Sequence, residues 1–116
     1  KTIERDFAII DAGMNDLARP AVYGAYHEII SVDEGLEQHN IYDVVGPVCE
    51  SSDIFGKERR LKELRSGDLL AILCAGAYGA SMSSVYNLRP LIPEIMVDGD
   101  KVEIIRKRQT YEELLG

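Results

Sequence analysis

Ile41-Tyr-Asp-Val-Val45 runs directly into Gly46-Pro-Val-Cys-Glu-Ser-Ser-Asp53. The first five residues are β-branched and aromatic around one aspartate, the composition of a strand. Gly46-Pro47 interrupts that strand, because proline offers no N–H to a ladder and glycine weakens a strand interior. Cys49 and Glu50 are therefore expected at a bend near a strand end, where side chains can be aimed into a cleft. A nucleophilic cysteine needs positive neighbours to lower its pKa, whereas an adjacent carboxylate keeps the proton on sulfur. The pair suits proton donation better than attack. The competing reading is a half-buried thiol in a turn beside a solvated glutamate, since free cysteine is among the most buried residue types.

Upstream, Phe7–Asp11 reads as a short apolar strand ended by Ala12-Gly13, and Asn15 or Asp16 can cap a short turn. Pro20 limits any helix before it. In a helix begun there, Arg19 and Tyr23 are four apart, share a face and can jointly grip an anion; the alternative is a surface arginine and a packed tyrosine. His27–Val32 is a second strand, with His27 structural, and Asp33–Asn40 a loop. Downstream, Arg60–Arg65 fits strand or helix, and Ser66-Gly67-Asp68 is a turn. Leu69–Ala75 is apolar on both alternations, as a fully buried strand is, with Cys74 a core thiol. Gly76-Ala-Tyr-Gly79 lets backbone approach a ligand around Tyr78, and the phenol with the serines of Ala80–Ser84 can serve a phosphate. Its glycine spacing fits neither a P-loop nor a dinucleotide fingerprint. Tyr86–Pro93 reads as an extended edge, and Ile95–Ile105 as a hairpin turning at Asp98-Gly99. Thr110-Tyr-Glu-Glu113 is a capping box for a last short helix. Many short strands with little helix predict a mainly-β barrel or sandwich.

The chain of 116 residues is one domain's worth, with 46% hydrophobic and 28% charged residues. Twenty acidic against thirteen basic residues give a net charge of −7, which argues against nucleic acid or an anionic membrane as partner. Lys57–Lys62 and Arg106–Arg108 are short basic stretches, the first interleaved with acid. No apolar run reaches the ~20 residues of a membrane span, and the N-terminus lacks a signal-peptide core. Cys49 and Cys74 have no metal-like spacing, and a reducing cytoplasm fits both. Lys1 opens straight into a strand-like pattern, so the chain is expected to be a segment of a longer one.

Three stretches together resemble the diaminopimelate decarboxylases, in the alanine-racemase-like group of pyridoxal-phosphate decarboxylases. They are Asp11-Ala-Gly-Met-Asn-Asp-Leu-Ala-Arg-Pro-Ala-Val-Tyr23, Gly46–Asp53, and Ala75-Gly-Ala-Tyr-Gly79 with Ser83-Ser-Val-Tyr-Asn-Leu-Arg-Pro90. The resemblance implies that residues 1–116 are a C-terminal β-domain, barrel or Greek-key-like with short helices, whose (β/α)₈ partner domain lies outside this chain. It implies pyridoxal 5′-phosphate as cofactor and a homodimer in which this domain completes the partner's active site. The implied reaction converts meso-2,6-diaminopimelate to L-lysine and CO₂. On the same ground Cys49 matches the proton donor to Cα, and Glu50 a contact to the distal amino end. Arg19 and Tyr23 match contacts to the distal carboxylate, and Tyr78 a residue touching cofactor and substrate. A thiol of pKa ~8.5 held protonated by a carboxylate is a competent general acid at neutral pH. Glutamate after the cysteine favours diaminopimelate over ornithine, arginine or carboxynorspermidine decarboxylases. None of the five lysines has an apolar setting suited to carrying the cofactor, so the segment alone is expected to be inactive. A non-catalytic β-module for binding or assembly is the rival from another class.

Overall fold

The computed structural model describes residues 6–32, 39–48 and 53–116, with Asn87 by its backbone alone. In chain order the elements are β1 (Asp6–Ile9), α1 (Arg19–Tyr23), β2 (Ile29–Ser31), β3 (His39–Val45), β4 (Ile54–Lys62), β5 (Leu70–Ile72), α2 (Gly76–Met82), a 3₁₀ turn at Tyr86–Leu88, β6 (Glu94–Asp98), β7 (Lys101–Arg106) and α3 (Tyr111–Leu115). The mainly-β expectation is borne out. The described strands form three separate ladders, and none of these closes into a barrel: β1-β3-β4, β2-β5 and β6-β7.

The strand that leads into Gly46 is the centre of the largest sheet. β3 pairs parallel with β1 (Asp6↔Tyr42 to Ile9↔Val45) and antiparallel with β4. Tyr42, Asp43 and Val44 are all buried in succession, so both faces of β3 are covered there. Buried Asp43 lies where the ladder skips from Tyr42↔Arg59 to Val44↔Gly56, a bulge on β4. Glu58 in that bulge has φ +52°, and its N–H donates to Asp43 Oδ1 at 2.9 Å. A buried carboxylate thus satisfies a donor that the interrupted ladder leaves over. The core is small: Leu17, Ile29, Tyr42, Val44, Phe55 and Leu61, with Ala8, Ile10, Leu64 and Ile72 against it. His27 is buried, its Nδ1 3.1 Å from Leu73 O.

Several local expectations shift. The Arg60–Arg65 ambiguity resolves as strand through Lys62. Leu69–Ala75 is no fully buried strand: β5 keeps three half-buried residues because its partner β2 is only three long, and Leu69 is exposed. Cys74 is exposed and at φ +56°, not a core thiol. Tyr86–Pro93 begins with the 3₁₀ turn instead of running extended throughout. In the β6–β7 hairpin the two-residue loop is Gly99-Asp100, and Gly99 alone takes positive φ (+61°). That is the demand of a turn with glycine first, one residue later than Asp98-Gly99 implied. Thr110 and Glu113 form the expected capping box.

Candidate functional site

Two short helices carry the site. Helix α1 is limited to five residues by Pro20 in its first turn and by Gly24, which adopts φ +65° and donates to Pro20 O at 3.1 Å. Ala25 N–H donates to Arg19 O at 3.3 Å, completing the C-terminal closure. One turn of helix therefore places Arg19 and Tyr23 four apart on a common face, with Tyr23 exposed. The Arg19 guanidinium lies 3.8 Å from the ring centroid of Tyr78, which α2 presents half-exposed. Stacking uses the face of the guanidinium, so its in-plane N–H fork suits a carboxylate. The structure thus brings Arg19 and Tyr78 together. Cys49 and Glu50 lie outside the described residues.

Of the two glycines flanking Tyr78, Gly76 borders open space, with nothing within 4 Å of a Cβ built there. Both are helical, and a Cβ at Gly79 would lie 3.3 Å from Asp16 O, so Gly79 lets the turn before α1 pack close. Ser81 and Ser83 donate back to Tyr78 O and Ala80 O of their own helix, which engages the hydroxyls proposed for a phosphate. Among the described lysines, Lys57, Lys101 and Lys107 are exposed and Lys62 is half-buried at a strand end. No described lysine is enclosed in an apolar pocket. The described residues fit one wall of a cofactor site, a phenol beside a guanidinium, and lack the amine that would carry the cofactor.

Beneath the helices is a buried polar network to which sequence reasoning gave no role. Asp53, 2% exposed, accepts Met14 N–H on Oδ1 (2.8 Å) and Val48 N–H on Oδ2 (2.7 Å), while its carbonyl accepts Gly46 N–H (2.9 Å). A Cβ at Gly46 would collide with both Asp53 oxygens and lie 2.7 Å from Ala12 O, so the glycine is required by close approach. The carboxylate joins the exit of β3 to the turn before α1. Asn15 and Asp16 are also buried, and Arg89 reaches both: Nη1 is 3.2 Å from Asn15 Oδ1 and 3.9 Å from Asp16 Oδ2. The signal for Asp53 was its place closing the Gly46–Asp53 stretch; Asn15 and Asp16 had been noted only as caps.

A mainly-β frame thus presents an arginine against a tyrosine from two short helices. The chain belongs to the family described as pyridoxal-dependent decarboxylase, C-terminal sheet domain, whose model matches residues 1–76. It is 56% identical to the diaminopimelate decarboxylase of Haemophilus influenzae, over 95% of this chain and 26% of that protein. It is 52% identical to that of Zymomonas mobilis, over 94% and 26%. Among solved structures, diaminopimelate decarboxylase from M. jannaschii in complex with L-lysine superposes with a TM-score of 0.89 at 44% identity, over 94% of this chain and 25% of that one. The chain spans about a quarter of the length of the curated relatives it matches, 26% for each of the two named.

Proposed function

We propose that these 116 residues are the C-terminal β-domain of a cytoplasmic diaminopimelate decarboxylase, acting on meso-2,6-diaminopimelate across a homodimer interface. The observation that carries the reading is the Arg19–Tyr78 stack, which unites two of the three stretches that resemble the family. Arg19 and Tyr23 hold the substrate's distal carboxylate, and Glu50 receives its distal ammonium. A guanidinium–carboxylate contact is charge-assisted and directional, so a substrate without the distal carboxylate leaves Arg19 unmatched and is disfavoured. Tyr78 lines the boundary between substrate and cofactor. Pyridoxal phosphate, when bound, supplies the electron sink for the pair left at Cα as CO₂ departs. Cys49, kept protonated by Glu50, delivers the proton to Cα. The lysine that carries the cofactor comes from a barrel domain outside these residues.

The test is turnover by the natural gene product that contains this segment. L-lysine and CO₂ should form from meso-diaminopimelate, with ornithine, arginine and lysine roughly 100-fold poorer substrates, about what the loss of one hydrogen bond to a charged group costs. Preference for ornithine or arginine would assign the domain to a related decarboxylase. Activity on none of the four would leave a binding or assembly module. Cys49→Ala should lower kcat by about 10²–10⁴, the usual worth of a positioned general acid, with KM nearly unchanged. Unchanged turnover would remove Cys49 from the reaction.

A further inference from the structure

The Arg19–Tyr78 stack joins two helices that are held from beneath. Asn15 is 3% exposed, and every hydrogen-bonding group of its side-chain amide is engaged. Its Nδ2 donates to Asp16 Oδ1 (3.2 Å) and to Ser84 O (3.3 Å), and its Oδ1 accepts from Arg89 Nη1 (3.2 Å). Its backbone carbonyl accepts Ser84 N–H at 2.9 Å. Asn15 therefore grips both backbone groups of Ser84, two residues beyond the end of α2, from a turn four residues before Arg19. Arg89 closes the grip by also donating to Asp11 O, just ahead of that turn. Gly13 leaves the space for this: a Cβ there would overlap the Arg89 Nη1. Gly79 lets α2 lie against the same turn, at Asp16 O.

We propose that Asn15 and Arg89 are positioning residues, a clamp that holds α1 and α2 at the spacing where Arg19 stacks on Tyr78 and so sets selectivity for a substrate with a distal carboxylate. The substrate part of this rests on the proposed function; the clamp itself rests on the geometry. The clamp acts through Arg19 and touches no substrate. Loosening it lets the guanidinium leave the ring, so the carboxylate contact weakens while the proton donor and cofactor lysine are untouched.

Two variants break the clamp by different routes in the natural gene product. Arg89→Met removes the donors, and Gly13→Ala evicts the guanidinium without altering its charge. The first readout is hydrogen exchange, which needs no catalysis. Amides of residues 14–24 and 76–84 should exchange at least ~10-fold faster in both variants, with the β6–β7 hairpin unchanged. Unchanged exchange there, or a uniform rise along the chain, overturns the clamp. The second readout is the ratio of kcat/KM for meso-diaminopimelate to that for D-lysine, which keeps a D-centre carboxylate to lose but has no distal carboxylate. Both variants should lower it ~10-fold or more, mainly through KM for diaminopimelate, a change that mere loss of stability does not produce. Faster local exchange with an unaltered ratio overturns the positioning role. A wild-type enzyme inactive on diaminopimelate would instead refute the proposed function, and exchange alone would then decide the clamp.

Discussion

The sheet around β3 and the hairpin at the C-terminal end are built on opposite principles. From β3 to α1 and α2 the decisive contacts are polar, partly buried and distant in sequence: Asp53 with Met14, Asn15 with Ser84, and Arg89 with Asn15. In residues 91–116 the described bonds span shorter separations, 18 residues for Gln109 with Leu91 and three for Thr110 with Glu113. The hairpin lays Ile95, Val97, Val102 and Ile104 on one face, all more than half exposed. The radius of gyration, 15.3 Å, exceeds the ~13 Å of a compact domain of this length, in keeping with a hairpin that adds little to the core. The region of the candidate site is stitched by hydrogen bonds that span 39 to 74 residues, and the C-terminal region, tied over shorter spans, leaves its apolar face without cover among the described residues.

Substitutions should separate the two regions by size of effect. Asp53→Ala removes a buried carboxylate that accepts two part-buried N–H groups, and urea unfolding of the natural gene product should show a loss of about 3 kcal/mol. Gly46→Ala forces a methyl against Asp53 and Ala12 O and should cost about 2 kcal/mol. The pair should be non-additive by ~1 kcal/mol, because removing the carboxylate relieves part of the clash. Full additivity would deny the close approach. At the other end, Thr110→Ala deletes a cap and should cost at most about 1 kcal/mol, read as faster amide exchange confined to α3. A larger or spreading effect would mean that the C-terminal unit is not self-contained.

The same contrast explains what could be read from the sequence. The hairpin, the capping box and the turn at Ser66–Asp68 follow from neighbouring residues, because glycine conformations and caps act over two to four positions. Placing Arg19 and Tyr23 on one face needed only Pro20. The Leu69–Ala75 reading failed because burial depends on what covers a strand, and β2 covers just three residues of it. Cys74 was misplaced for the same reason. The packing roles of Asp53, Asn15 and Arg89 escaped notice because such a role is defined by partners up to 78 residues away, which no local pattern encodes. Gly13 and Gly46 are glycines for side chains that arrive from elsewhere, Arg89 and Asp53.

The central claim is that this domain supplies the contact that selects the substrate's far end. Its most direct test is Arg19→Met in the natural gene product, assayed with meso-diaminopimelate and with D-lysine, which lacks the distal carboxylate. The account predicts that kcat/KM for diaminopimelate falls roughly 100-fold or more while the value for D-lysine changes little, as expected when one charge-assisted contact is removed. An unchanged preference for diaminopimelate, or an equal fall for both substrates, would contradict it.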